Sequence, residues 1–309
     1  MTRQTTVLQE MSQLKRVLLA VAPLVVIALV AVGALLWRTG GDETFKGVPA
    51  DDPGPIHVHG LGINPGDGAL FIATHTGLYR LDRGESNAKR VAERHQDTMG
   101  FTVVGPDRFL GSGHPDLNEA QEKGLPSLLG LIESDDSGET WKSISLSGQA
   151  DFHVLRSLGN QVYGYDSSNN RLLASADRGR SWDELTLPGP LLDLAASPRD
   201  PRRLVAATAS QLEQGLHLSL DGGESWSRLD GPAGLLAWPA PDQLYLLTGA
   251  GQVFSSPDGG ARFEQRGELS GQPAAFLASG PDELYVALHD GTIEHSTDGG
   301  QTWELRSRP

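Results

Sequence analysis

The sequence predicts an all-β fold, a six-bladed β-propeller, with one transmembrane helix before it. Three observations predict this arrangement. A short pattern, Ser-x-Asp-x-Gly-x-Ser/Thr-aromatic, recurs along the chain, short apolar segments lie between its copies, and one long uncharged segment lies near the N-terminus. Repeats of about 40 residues that each hold four strands are typical of propeller blades.

The N-terminal apolar segment, residues 17–37, contains no charged side chain. As a helix rising about 1.5 Å per residue, it is long enough to cross a hydrocarbon core of about 30 Å. Lys15 and Arg16 precede the segment, whereas Asp42 and Glu43 follow it. Because Lys and Arg favour the cytoplasmic side, we predict a cytoplasmic N-terminus.

The predicted organisation is that of a single-pass membrane protein. Its segments are a cytoplasmic tail (1–16), a transmembrane anchor (17–37), a linker (38–55) and an extracytoplasmic propeller (56–309). A cleaved signal peptide is the alternative, although the apolar part of such a peptide is usually only about 7–15 residues long. The membrane is therefore the first expected partner.

Composition excludes several classes of function. The chain has no cysteine, which excludes a disulfide framework, a thiol nucleophile and a Cys-ligated metal. Its formal net charge of −14 repels the phosphate backbone of nucleic acids. We therefore expect no nucleic-acid partner.

The repeated pattern occurs four times in full, as SDDSGETW (134–141), SADRGRSW (175–182), SLDGGESW (219–226) and STDGGQTW (296–303), and once as a variant, SPDGGARF (256–263), which has Arg262 in place of Ser or Thr. Its aspartates, which are Asp136, Asp177, Asp221, Asp258 and Asp298, are 41, 44, 37 and 40 residues apart. Its final aromatic residues are Trp141, Trp182, Trp226, Phe263 and Trp303. The carboxylate accepts backbone N–H bonds in a tight turn, the glycine permits positive φ, and the aromatic ring packs beneath the hairpin.

Between these turns the same order of segments recurs. An apolar run is followed by an alternating run and then by the segment that leads into the turn, which predicts strands A, B, C, turn and D in each unit. One more unit precedes the first turn, with strands expected at 56–63, 69–74 and 77–81. There Asp82 and Gly84 take the place of a degenerate turn, so the predicted number of blades is six.

These turns are Asp-boxes, and the sequence resembles the Asp-box (bacterial neuraminidase repeat) propellers, which include sialidase-like, glycosyl-hydrolase-like and membrane-anchored bacterial proteins. The resemblance covers about residues 55–309. It implies that the Asp-boxes are structural and lie at one end of the propeller. It further implies that ligands bind at the other end, the mouth, where the A strands begin and the B-to-C loops lie.

Residues placed at the mouth by this reasoning are the candidate ligand-binding residues. They are His57, His59, His75, His114, His153, Tyr165 and Asp193. An enlarged B-to-C loop, 111–127, adds to the mouth in the second unit, and long loops in compact domains are often functional.

Three functions remain open at this stage. A binding or assembly module for a protein or glycan is the leading hypothesis, because Asp-box propellers also serve as receptor ectodomains and assembly factors. A glycosyl hydrolase would need two carboxylates, and the candidates are Asp97, Asp116 and Asp151. True sialidase activity is not expected, since no arginine begins an A strand to form the triad that such enzymes use.

Metal binding is the third hypothesis, with copper or zinc as the cofactor. The candidate ligands are His57, His59, His114 and His153, with His75 and Met99 able to complete the site. Imidazole suits both metals, and a thioether suits Cu(I). His57 and His59 are two residues apart, so on a regular strand both side chains would lie on one face.

Overall fold

The computed structural model describes residues 54–209 and 214–309, so the predicted anchor at 17–37 lies outside the described residues. Within the described ranges, no helix is long and apolar enough to span a membrane. The described residues form six four-stranded sheets, each made of four consecutive strands. We call these sheets blades 1 to 6 in chain order. The predicted all-β, six-bladed fold is confirmed.

Each blade is an antiparallel meander of four strands. The first strands are β1 (Val58–Ile63), β5 (Asp97–Gly105), β9 (Phe152–Leu158), β13 (Leu191–Ala196), β17 (Leu235–Ala240) and β21 (Pro273–Ala278). The second strands are β2 (Leu70–Thr74), β6 (Arg108–His114), β10 (Gln161–Asp166), β14 (Leu204–Ala209), β18 (Gln243–Leu247) and β22 (Leu284–Leu288). The third strands are β3 (Gly77–Leu81), β7 (Leu131–Ser134), β11 (Arg171–Ser175), β15 (Gln214–Ser219), β19 (Gln252–Ser256) and β23 (Ile293–Ser296). The fourth strands are β4 (Lys89–Arg90), β8 (Lys142–Ser145), β12 (Asp183–Leu185), β16 (Ser227–Leu229), β20 (Glu264–Glu268) and β24 (Glu304–Ser307).

The burial of the strands explains the sequence pattern. Second strands lie inside their blades with both faces covered, so every residue of β2 and β22 is buried and Thr74 is the one aliphatic-hydroxyl residue in these largely apolar strands. Fourth strands lie at the outer edge and carry exposed charged side chains, as in β20. First strands of neighbouring blades contact one another, and β21 contacts β1. The first strands therefore surround a central channel.

The Asp-boxes close the turn between the third and fourth strands. In blade 2, the Ser134 hydroxyl donates to Asp136 Oδ1 over 2.8 Å and accepts a bond from the Gly138 backbone N–H over 2.8 Å. Thr140 donates to the same carboxylate from its backbone N–H over 2.8 Å and from its hydroxyl over 2.5 Å. The local turn satisfies the carboxylate, which supports a structural role for it.

The box aromatic rings pack between blades. Trp141 contacts the apolar cluster formed by blades 1 and 2, and Trp303 contacts the one formed by blades 5 and 6. Both side chains are only half-buried, so the sequence-based picture of a ring fully beneath the hairpin is too simple. The box glycine also fits against the preceding blade, because a Cβ on Gly179 would lie 2.0 Å from Leu131 Cδ2. The box thus joins each blade to the one before it.

The interface between blades 6 and 1 is built differently. Blade 1 lacks a complete box, and the carboxylate of Asp82 accepts a 2.8 Å bond from Arg80 Nε instead of closing a turn. Across the interface, Arg306 donates to the backbone carbonyls of Asp82, over 2.7 Å, and Glu85, and Ser307 Oγ donates to Ser86 O over 2.9 Å. Among residues 54–209 and 214–309, no strand is shared between the first and last blades, and these contacts and apolar packing join the two blades.

The enlarged segment of blade 2 contains a short helix, α1 (Leu117–Lys123), where the sequence predicted only a loop. Asp116 caps its N-terminus by accepting bonds from the backbone N–H groups of Asn118 and Glu119. Gly124 ends the helix in a left-handed conformation, with φ of 64°. The segment is therefore ordered and can position neighbouring side chains.

Candidate functional site

The candidate site lies in the central channel at the mouth, where the first strands begin. A cavity of about 290 Å³ is lined there by residues from the first strands of all six blades. The described residues thus form a concave site at the end predicted to bind ligands.

A β-bulge at the start of most first strands directs one side chain into this cavity. The bulged residue, which has no paired residue in the second strand, is His59 in β1, His153 in β9, Leu192 in β13 and Ala274 in β21. In β5 the corresponding irregularity contains Met99. All five residues line the cavity, in keeping with the tendency of bulges to redirect side chains beside functional sites.

Because of the bulge, His57 and His59 do not lie on one face of a regular strand, as the sequence had predicted. His57 precedes β1 and has a positive φ of 53°, and His59 is the bulged residue, so regular alternation does not place the two rings. His57 is exposed, and its ring centroid lies 5.7 Å from that of His75. It therefore lies at the rim of the cluster rather than at its centre.

The first cluster brings together His59, His75 and Asp97. His75 Nδ1 lies 2.9 Å from Asp97 Oδ1, and His59 Nε2 lies 4.0 Å from the same oxygen. One ligand atom from each residue lies within 4.8 Å of the other two. The residues come from the bulge of β1, the residue after β2 and the first residue of β5. A pair of adjacent blades therefore builds the cluster.

The second cluster is centred on Asp151, which immediately precedes β9. His153 Nε2 lies 2.9 Å from Asp151 Oδ2, and His114 Nε2 lies 3.7 Å from the same oxygen. Asp151 Oδ1 is buried and has no hydrogen-bond partner among residues 54–209 and 214–309. His114, at the end of β6, also contacts the carbonyl of Ser127 through Nδ1 over 2.8 Å.

Burial controls the protonation of the first cluster. Burial, followed by the charges of His75, His153 and His57, lowers the pKa of His59 to about 4. Burial also raises the pKa of Asp97, although its contact with His75 opposes the shift. His59 is therefore neutral at pH 7, and its Nε2 has no hydrogen-bond partner in the described part of the chain.

Asp116, Tyr165 and Asp193 are predicted site residues whose side chains bond to other residues of the fold. Asp116 is not part of either cluster. Burial raises its pKa, but bonds from the N–H groups of His95, Glu119 and Asn118 outweigh that effect and lower the pKa. This bonding makes Asp116 a helix cap and corrects its assignment as a catalytic candidate.

Tyr165 and Asp193 do line the cavity. The Tyr165 hydroxyl donates to Asn170 Oδ1 over 2.9 Å. Asp193 is buried, and its carboxylate accepts bonds from Arg156 and from the Leu236 backbone N–H over 2.5 and 2.8 Å. Asp193 thus links blades 3, 4 and 5, and it offers no free carboxylate to a ligand.

Sequence reasoning missed the pairing of each carboxylate with two histidines. It treated Asp97 and Asp151 as catalytic candidates and the histidines as a separate metal set. The signal was present in the spacing, because Asp97-x-Met99 and Asp151-x-His153 occupy the same place in successive blades as His57-x-His59. Aligning the first strands of the six units would have revealed it.

Comparison with known proteins agrees with the fold. The BNR/Asp-box repeat model matches residues 294–305, which contain most of the last box. Comparison with curated proteins finds no significant match.

Solved structures share the architecture at low sequence identity. The Niastella koreensis GH74 enzyme aligns with a TM-score of 0.59 and 13% identity over 82% of this chain, which spans 45% of the length of that enzyme. A chain of the nidogen/laminin complex aligns with a TM-score of 0.61 and 14% identity over 78% of this chain and 93% of its own. YCF48 bound to D1 peptide aligns with a TM-score of 0.51 and 15% identity, over 84% of this chain and 85% of its own. At such identities the likeness concerns the fold alone, and the chain is a six-bladed propeller built on BNR/Asp-box repeats.

Proposed function

We propose that this chain is a binding module that holds a first-row transition metal, copper or zinc, at the mouth of its propeller. The observation that carries the proposal is the meeting of His59, His75 and Asp97, with ligand atoms within 4.8 Å of one another. Imidazole and carboxylate groups are ordinary ligands of both metals.

The bonding of these three residues supports a cation between them. Two imidazole nitrogens face the same Asp97 oxygen, and the Nε2 atom of His59 is buried without a hydrogen bond to any described residue. Bonds of about 2.0–2.1 Å to a tetrahedral metal place its ligand atoms about 3.3 Å apart. Side-chain movements of about 1 Å would bring this cluster to that geometry.

A role in docking a partner extends the proposal. Two of the structures with a similar fold, the nidogen/laminin complex and YCF48 bound to D1 peptide, are complexes with a protein or a peptide. We propose that a protein or glycan docks on the mouth face here, with the metal at the centre of the contact. Residues 17–37 would anchor the chain and place the propeller outside the cytoplasm.

Metal analysis tests the proposal. Full-length protein purified without a polyhistidine tag should retain at least one copper or zinc ion per chain after gel filtration. His75→Ala should weaken binding by about 100-fold or more, because it removes a direct ligand. His289→Ala is the matched control, because His289 also follows a second strand, in blade 6. Wild-type protein without stoichiometric metal would overturn the proposal.

Glycoside hydrolysis is a second candidate, favoured by the different environments of two mouth carboxylates. The pKa of Asp97 is raised by burial, as suits a general acid, whereas Asp151 is paired with His153 over 2.9 Å. Turnover of a glycan panel that disappears in both Asp97→Asn and Asp151→Asn would support this candidate. Absence of turnover, or turnover unchanged in both variants, would remove it.

A further inference from the structure

The second cluster of the mouth resembles the first in one pairing of a histidine with a carboxylate of the next blade. In both clusters, a histidine at or just after the end of a second strand approaches a carboxylate at or just before the start of the following blade's first strand. His75 approaches Asp97 in this way, and His114 approaches Asp151. The other histidine of the second cluster, His153, lies in the blade of Asp151, whereas His59 lies in the blade of His75. We infer that Asp151, His114 and His153 form a second metal position, so that the mouth holds two metal ions. This inference rests on the proposed function and extends it.

The distances from Asp151 to its two histidines are similar to those from Asp97 to its own pair. Each carboxylate has one imidazole nitrogen at 2.9 Å, from His75 or His153. Each has a second imidazole nitrogen farther away, 4.0 Å for His59 and 3.7 Å for His114. The same chemical set, two imidazoles and one carboxylate, therefore occurs twice. Among residues 54–209 and 214–309, only the first cluster brings one ligand atom of every member within 4.8 Å of the others, so His114 and His153 would have to move toward one another to share an ion.

The tautomer of His114 provides an independent argument for a cation. A carbonyl oxygen only accepts hydrogen bonds, so the 2.8 Å contact with Ser127 O requires Nδ1 of His114 to carry the proton. In a neutral imidazole, Nε2 is then an acceptor, and it faces the carboxylate of Asp151. Either a proton on Nε2 or a metal ion between the two acceptors removes the conflict, and a histidine fixed through its other nitrogen is the usual arrangement at metal sites.

Asp151 provides the second argument. Its side chain is 6% exposed, and Oδ1 has no hydrogen-bond partner in the described ranges. An unpaired buried carboxylate oxygen is costly, and metal coordination is one of the few ways to compensate it. The inserted segment 111–127 acquires a role here, because Ser127 holds His114 toward the mouth.

Both positions belong to one site. The register of blade 2 places His114, a member of the second cluster, opposite Asp97, a member of the first. Met99 lies on the strand between them and lines the cavity together with His59 and His153. Two ions held here would therefore be close neighbours, with a thioether beside them.

Zinc stoichiometry tests the inference. Full-length protein, stripped of metal and titrated with Zn²⁺, is examined by native mass spectrometry and elemental analysis. Wild type should bind two ions, and both Asp151→Asn and His114→Ala should bind one, a loss of one of two. His289→Ala should still bind two. Thermal melts identify a variant that fails to fold, and the other variant then carries the test.

The outcomes separate the two proposals. One ion in wild type, unchanged in Asp151→Asn and His114→Ala, would overturn the second position and leave the first intact. No ion in wild type would overturn both. Two ions retained in both variants would show that other residues form the second position. Co²⁺ provides a second readout, because its visible absorption should fall by about half in each of the two variants.

Discussion

The two halves of the mouth share one backbone design but carry different side chains. Blades 1 to 3 place His59, Met99 and His153 at their bulges, whereas blades 4 and 6 place Leu192 and Ala274 at the same position. All five residues line one cavity. The fold therefore determines where the side chains lie and does not require histidine there, so the uneven chemistry points to function.

The aspartates at the two ends of the propeller show a similar contrast between the scaffold and the site. Hydrogen bonds from the Thr302 hydroxyl and then its backbone N–H lower the pKa of the box residue Asp298 to about 2. At the mouth, burial raises the pKa of Asp97, and Asp151 keeps a buried oxygen without a partner in the described part of the chain. Carboxylates of the scaffold are satisfied locally, whereas those of the site are not.

The largest expected effect concerns the scaffold, which should not distinguish the two halves. Trp141→Ala in blade 2 and Trp303→Ala in blade 6 each remove a half-buried ring packed between blades. Each should lower the free energy of unfolding by about 3 kcal/mol. Urea denaturation measures the loss. If only one of the two variants lost stability, the two halves would differ in their scaffold as well as in their side-chain chemistry, which would contradict the comparison.

Exchanging the bulge side chains tests whether chemistry alone separates the halves. His59→Leu gives blade 1 the residue that blade 4 has at Leu192, and it removes a metal ligand without removing a hydrogen bond made by Nε2. Metal affinity should fall by about 100-fold or more while stability is retained. Isothermal titration calorimetry measures the affinity. Leu192→His is the reciprocal control and should add no metal, because no carboxylate begins the adjacent strand β17.

Acid should destabilise the metal-free protein through His59. Its folded-state pKa of about 4 lies below the ordinary value of 6.5, so the unfolded state binds a proton first as pH falls. Stability present above about pH 6.5 should therefore decrease toward pH 4, by on the order of 2 kcal/mol. Melting curves across this range measure the slope, and His59→Leu should flatten it. An equal slope in that variant would contradict the assignment.

The smallest effect concerns Met99. Met99→Leu keeps the volume of the side chain and removes the thioether beside His59 and His153. Cu(I) affinity should fall by about 10-fold and Zn²⁺ affinity should not change, because sulfur ligands favour the softer ion. Competition with a Cu(I) chelator measures the first and calorimetry the second. Equal losses for both metals would instead indicate a packing role.

The sequence predicted the scaffold well because its signals are local. A box satisfies its own aspartate with residues no more than four positions away, as Ser134 and Thr140 do for Asp136, so five copies revealed the blades. The site depends on register, and a bulge shifts register without a recognisable motif. For that reason the sequence proposed the histidines, Asp97 and Asp151 as candidate residues but did not pair them.

Other misassignments have equally physical causes. Asp116 resembled a mouth carboxylate because it follows His114-Pro115, yet it begins a helix that the sequence analysis treated as a loop. Asp193 resembled a free acid, but Arg156 and a backbone N–H from the next blade bind it. Such partners are distant in sequence, and only the closed ring of blades brings them together.

A crystal structure of zinc-loaded protein, with anomalous diffraction recorded at the zinc edge, tests the central claim most directly. The account predicts an anomalous peak at the mouth within bonding distance of His59, His75 and Asp97, about 2.0–2.2 Å from each ligand atom. A mouth without an anomalous peak in protein that carries zinc elsewhere would contradict it.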